Sequence, residues 1–136
     1  MGSTDYFDTF IRVADDCPVT AAETPAPGAN GPTIASLQYE LVSQRPCELT
    51  SDDVLFEVHR IRQCVPDELR AEAREAFFAK SRACLRSSPL GKRYGWGIHC
   101  DAEGRVALVP VQSERYRALA ADEALTQTRA MRSKRA

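Results

Sequence analysis

From Phe7 to Ala14 the side chains alternate: Thr9, Ile11 and Val13 fall on one side, Asp8, Phe10 and Arg12 on the other. A period of two predicts a β-strand, and Asp15-Asp16-Cys17-Pro18 closes it as a turn. Residues 21–32 hold three prolines and two glycines among small residues, which predicts an irregular, solvated and flexible loop. Thr33 then caps a helix running to about Gln44, with Ile34, Leu37 and Leu41 on one face. The same stretch also alternates (Ala35, Leu37, Tyr39, Leu41), so a strand is the alternative; length and the stop at Pro46 favour the helix.

Thr50-Ser51-Asp52-Asp53 has the composition of a helix start, because a hydroxyl and first-turn carboxylates satisfy free N–H groups and complement the dipole. Val54, Leu55, Val58 and Ile61 form the buried stripe of that helix, which ends near Arg62. Pro66 opens a third helix reaching about Lys80, with Leu69, Ala73, Ala76 and Phe77 inward.

The next apolar run, from Lys92 to Val111, reads as a β-hairpin around Asp101-Ala102-Glu103-Gly104, a type I turn with glycine in the left-handed position. That turn pairs Cys100 with Val106 and Ile98 with Leu108. One face carries Trp96, Ile98, Cys100, Val106 and Leu108; the other carries Gly95, Gly97, His99, Ala107, Val109 and Val111. Both faces are largely apolar, so a partner copy or a covering segment is expected on the outer one. Ser113 caps a short helix to about Ala121, and the tail at about 126–136 is polar, basic and expected to fray or to dock late. The pattern predicts one α+β domain over 1–136. A small antiparallel sheet, made of the N-terminal strand and the C-terminal hairpin, packs against about three to four helices.

Composition changes this picture little. Charged residues make up 27% and the net charge is −1, which argues against a surface that binds nucleic acid as a whole. Arginine outnumbers lysine fifteen to three, a bias attributed to genome composition rather than to phosphate binding. The five cysteines (Cys17, Cys47, Cys64, Cys84, Cys100) are scattered, which suits reduced thiols in a cytosol. Met1 to Phe10 lacks the basic and apolar regions of a secretory leader, and no run is long enough to span a bilayer. A cytoplasmic protein is the expectation.

Several stretches together resemble a family of small, functionally uncharacterised bacterial proteins, a domain of unknown function. They include Tyr6-Phe7-Asp8-Thr9-Phe10-Ile11, Asp16-Cys17-Pro18-Val19-Thr20, Leu37-Gln38-Tyr39-Glu40-Leu41 and Thr50-Ser51-Asp52-Asp53-Val54-Leu55-Phe56-Glu57-Val58. Further on come Cys84-Leu85-Arg86-Ser87-Ser88-Pro89-Leu90, Lys92-Arg93-Tyr94-Gly95-Trp96-Gly97-Ile98-His99 and Ala130-Met131-Arg132-Ser133-Lys134-Arg135-Ala136. The resemblance implies a complete single-domain protein and brings no activity, substrate or catalytic residue. Where the family pattern places an aromatic after Pro46, this chain has Cys47, which speaks against a special role for that thiol.

Candidate chemistry concentrates between Lys80 and Arg93, where Lys80, Arg82, Arg86, Lys92 and Arg93 occur with no acid. With Ser87, Ser88 and Gly91 they offer the forks, hydroxyls and loop N–H groups that hold phosphate or carboxylate. The alternative is a solvated loop that pairs with the acidic helices. Gly95-Trp96-Gly97 suggests a groove beside an indole, unless a helix closes over the glycines. His99 is a candidate base, or else a hydrogen-bonded structural residue. Cys84 is a candidate thiol in an electropositive stretch. The basic tail from Arg129 to Arg135 resembles a nucleic-acid arm, or a solvated terminus. No metal-ligand spacing or cofactor fingerprint occurs, so neither a metal nor a cofactor is expected.

The leading expectation is a binding protein for an anionic small molecule or an acidic partner. Arg86, Ser87, Lys92, Arg93, Trp96 and His99 line its site. The alternatives are a small enzyme using His99 with Arg86 or Arg93 as clamp, and a protein that dimerises through the outer sheet face.

Overall fold

A computed structural model describes residues 4–132. Strand β1 is Thr9–Arg12. Helices α1 (Ile34–Gln44) and α2 (Ser51–Arg62) follow, then a 3₁₀ turn at Asp67–Leu69 running into α3 (Arg70–Phe78). A second 3₁₀ turn at Leu85–Ser87 leads into the one-turn α4 (Pro89–Lys92). The hairpin β2 (Trp96–Cys100) and β3 (Val106–Pro110), helix α5 (Glu114–Ala120) and strand β4 (Thr126–Arg129) complete the chain.

The ambiguous stretch after Thr33 is a helix, and its cap explains why. The Thr33 hydroxyl accepts from the Ser36 N–H while the Ser36 hydroxyl accepts from the Thr33 N–H, a reciprocal box that fixes the first turn. Thr50 and Asp53 form the same box on α2. Asp52 instead takes the backbone N–H and hydroxyl of Thr4, at 2.8 and 2.6 Å, tying the N-terminal segment to that helix. The third helix starts later than the pattern predicts. Leu69 is exposed, and Phe77 is the residue of α3 that the core buries.

The sheet has the order β3-β2-β1-β4. The hairpin register is the one its turn dictates, with Cys100 opposite Val106 and Ile98 opposite Leu108. β1 adds antiparallel to β2, with Thr9 opposite Cys100 and Ile11 opposite Ile98. One expectation needs correction. The sheet is mixed rather than antiparallel, because β4 pairs parallel to β1 from Thr126 to Arg129. Of the two alternatives for the tail, the docked one describes its first four residues, which form a strand, and Ala130 beyond it is buried. Its pairing is made by backbone groups and by polar side chains: Arg12 donates to Gln127 Oε1 at 3.0 Å, and Arg129 pairs with Asp15 at 3.1 Å. Residues 133–136 of the basic tail lie outside the described residues.

One sheet face carries Ile11, Ile98, Cys100 and Val106. With Val42, Leu49, Val54 and Leu85 they form the main core under α1 and α2. The other face carries Phe10, Gly97, His99 and Val109, and α5 crosses it between the β3 and β4 edges. The Tyr116 ring meets Phe10 edge-on, with centroids 5.0 Å apart, and its hydroxyl accepts from the Val13 N–H at 2.9 Å. Of the two covers expected for the apolar outer face, a partner copy or a segment of the chain, the structure shows a segment of the chain, α5. No helix among the described residues is long and apolar enough to cross a membrane.

Candidate functional site

The loop at 21–32 is irregular, but its first half is tied to the hairpin. Glu23 N–H bonds the Tyr94 carbonyl at 2.9 Å, and Ala22 N–H bonds Gln112 Oε1 at 2.9 Å. Gly28 and Gly31 then exchange hydrogen bonds in a tight turn that delivers the chain to Thr33. This turn, the first turn of α1, the α4 segment and the end of α2 enclose an open groove of about 670 Å³.

Its wall includes Arg62, Ser87, Lys92, Arg93 and Tyr94 alongside residues 28–35, and no Asp or Glu contributes to it. Among the described residues no carboxylate pairs with Arg62, Lys92 or Arg93; the acidic residues near α2 and α3 pair instead with Arg60, Arg70 and Arg74. The basic segment is therefore not neutralised by the helices. The capping box of α1 accounts for the N–H groups of Thr33 and Ser36, leaving those of Ile34 and Ala35 at the positive end of the helix dipole. The Ser87 hydroxyl, whose partner is the Met131 sulfur at 3.2 Å, is a donor held by a weak acceptor.

Three of the six residues expected to line a site come together here: Ser87, Lys92 and Arg93. The others are placed elsewhere, each for a visible reason. Arg86 donates from Nε to the Arg129 carbonyl at 2.7 Å, while its own carbonyl accepts the Met131 N–H at 2.7 Å, so it clips the chain after β4. Trp96 donates from its indole to the Glu23 carbonyl at 2.8 Å and leans on Tyr39, with centroids 5.4 Å apart. Its indole N–H is thereby engaged in anchoring the loop.

The glycines beside Trp96 are closed over. A Cβ at Gly95 would lie 2.9 Å from Val19 Cγ2, and one at Gly97 would lie 2.8 Å from both Phe10 Cζ and Tyr116 Cε2. His99 faces α5, where burial first, and the Arg115 charge second, lower its pKa. Its Nδ1 is buried without a hydrogen-bond partner. His99, Arg86 and Arg93 thus form no common constellation.

Cys84 lies with its sulfur 3.1 Å from the Tyr6 hydroxyl. Burial, then the Cys84 contact, raises the Tyr6 pKa. Among the described residues no three His, Cys, Asp or Glu side chains are grouped to hold a metal ion. Of the remaining basic residues, Arg82 lies over the Phe77 ring at 4.0 Å and donates to the Phe77 carbonyl at 2.7 Å.

Arg62 and the turn at 28–31 are the parts of the groove that sequence reasoning missed. Arg62 gives no signal of its own, since only the packing of α1 against α2 brings the end of α2 to the start of α1. The turn was legible as a glycine pair ahead of a cap, but not as a wall.

The chain belongs to the Family of unknown function (DUF6157), whose model matches residues 1–136. No curated protein and no solved structure matches it. The family assignment agrees with the resemblance read from the sequence, and the groove geometry is what carries the functional argument.

Proposed function

We propose that this protein binds a small anionic molecule, with a phosphate- or carboxylate-type group held in the groove between the start of α1 and α4. The observation that carries the reading is the wall itself: Arg62, Lys92 and Arg93 line it, with no acid among them. Guanidinium and ammonium groups without an internal carboxylate remain available to an external anion. The Ile34 and Ala35 N–H groups and the Ser87 hydroxyl add neutral donors on the same wall. Trp96, Arg86 and His99 are not part of the groove wall: Arg86 and Trp96 hold backbone carbonyls elsewhere, and His99 faces α5. All five cysteines are free thiols, which suits the reducing cytoplasm we assign to it.

The test is calorimetric titration with inorganic phosphate at low ionic strength. Loss of a charge-assisted hydrogen bond costs about 1.5–3 kcal/mol, so Arg93→Gln is expected to weaken binding roughly tenfold or more. Lys80→Gln removes a charge of the same basic segment outside the groove and should leave affinity unchanged. Equal affinity for wild type and Arg93→Gln, or equal losses in both variants, would refute the site.

A further inference from the structure

An apolar slot opens beside the anion groove. It has a volume of about 220 Å³, and Ile34 and Arg62 line both it and the groove. Its walls are the side chains of Leu55, Val58 and Phe77 together with Ile34, and the His59 ring lies against Phe77 with centroids 4.6 Å apart. Ile34 is 41% exposed on the first turn of α1, an aliphatic side chain left partly uncovered between two hollows. An apolar cavity of about 150 Å³ accommodates a benzene ring, so this slot has room for a fused two-ring aryl group.

One of the polar residues lining the slot, Gln38, carries independent information. Gln38 is 3% exposed and lines the slot. The Ser88 hydroxyl oxygen accepts the Leu90 N–H at 3.1 Å, so its proton is directed to Gln38 Oε1. That bond uses the amide oxygen, and Gln38 lies on the wall of the open slot, where its amide nitrogen is available to donate. The slot therefore offers an apolar bed, an aromatic wall and an amide donor, with a cation, Arg62, at the border it shares with the groove.

We infer that the ligand is an amphipathic aryl anion. Its charged group sits in the groove at Lys92 and Arg93, its ring system enters the slot between Leu55, Val58 and Phe77, and an acceptor atom on or next to the ring meets the Gln38 amide. This rests on the proposed anion site and names the class of molecule that site takes. Both halves of the ligand are recognised by adjoining surfaces, so their contributions combine in one molecule.

Titration with three probes separates this inference from the reading on which it rests: inorganic phosphate, 2-naphthyl phosphate and 2-naphthol. The inference expects 2-naphthyl phosphate to bind at least tenfold more tightly than either of the others. In Leu55→Phe, which fills the slot, that gain disappears while inorganic phosphate binds as before. Methyl NMR shifts of Leu55 and Val58 on adding 2-naphthyl phosphate to wild type give a second readout that does not depend on the variant folding. Equal affinity for the two phosphates, with no methyl shifts, overturns the aryl slot and leaves the anion site standing. Naphthol binding as tightly as its phosphate overturns the coupling of slot to groove. Failure of both phosphates to bind overturns the anion site itself.

Discussion

Replacing Gly97 by alanine tests whether the sheet face beside Trp96 is sealed. The new methyl would meet Phe10 Cζ and Tyr116 Cε2, both at 2.8 Å, closer than real Cβ contacts come. Neither ring has an easy retreat. Phe10 is fully buried, and Tyr116 is held at its far end by the hydrogen bond from the Val13 N–H. Inserting a methylene into a packed core costs about 1–3 kcal/mol. Alanine recovers roughly 0.5–1 kcal/mol of that by reducing chain entropy. The net loss should lie between about 0 and 2.5 kcal/mol, and a loss near the middle, about 1 kcal/mol, lowers Tm by roughly 3–4 °C for a domain of this size in a calorimetric scan. A double-mutant cycle locates the cause. With Tyr116→Ala already in place, Gly97→Ala should cost at least about 0.5 kcal/mol less, because one of the two crowding rings is gone. A Tm for Gly97→Ala above that of wild type would refute the packing. It would also return the indole-flanking surface to the list of candidate sites.

Two further expectations follow from the same face and from the core. Native protein treated with iodoacetamide at pH 8 and mapped by mass spectrometry should be modified at the exposed Cys47 and Cys64 but not at Cys100. The Cys100 thiol is fully buried and its pKa is pushed up to about 12 by that burial; labelling at the rate of Cys64 would contradict the core. His99, whose pKa burial lowers from 6.5, takes up a proton more readily in the unfolded chain than in the folded one. Its effect on stability is therefore absent above the ordinary histidine range and grows unfavourable as pH falls through about 6.5, levelling off below the folded value. Urea midpoints at pH 8 and pH 5.5 should differ less in His99→Asn than in wild type, and an unchanged difference would contradict the buried position.

The elements that were legible are those with local chemistry to announce them. Asp101 to Gly104 set the hairpin register, and the Thr33 and Thr50 hydroxyls set two helix starts. β4 was not legible because Thr126-Gln127-Thr128-Arg129 has no apolar alternation; its place comes from pairing with β1, a partner more than a hundred residues earlier. The sequence left that tail between fraying and docking, because backbone pairing needs no hydrophobic side chain to announce it. At the site, a run of cations without acids singled out Lys92 and Arg93, which lie on the wall of the groove. It did not distinguish them from Arg86, which the carbonyl of the last β4 residue, Arg129, captures, or foresee Arg62, which another helix supplies. Gln38 carried a faint signal, a polar residue four positions after Ile34 on the apolar stripe of α1.

The most direct test of the anion groove is a ¹H–¹⁵N titration of the wild-type protein with inorganic phosphate. The largest amide shifts should fall on Ile34 and Ala35, with smaller ones on residues 28–31 and 92–94, and all should shrink with added salt. Shifts centred instead on residues 96–99, or none that saturate, would contradict it.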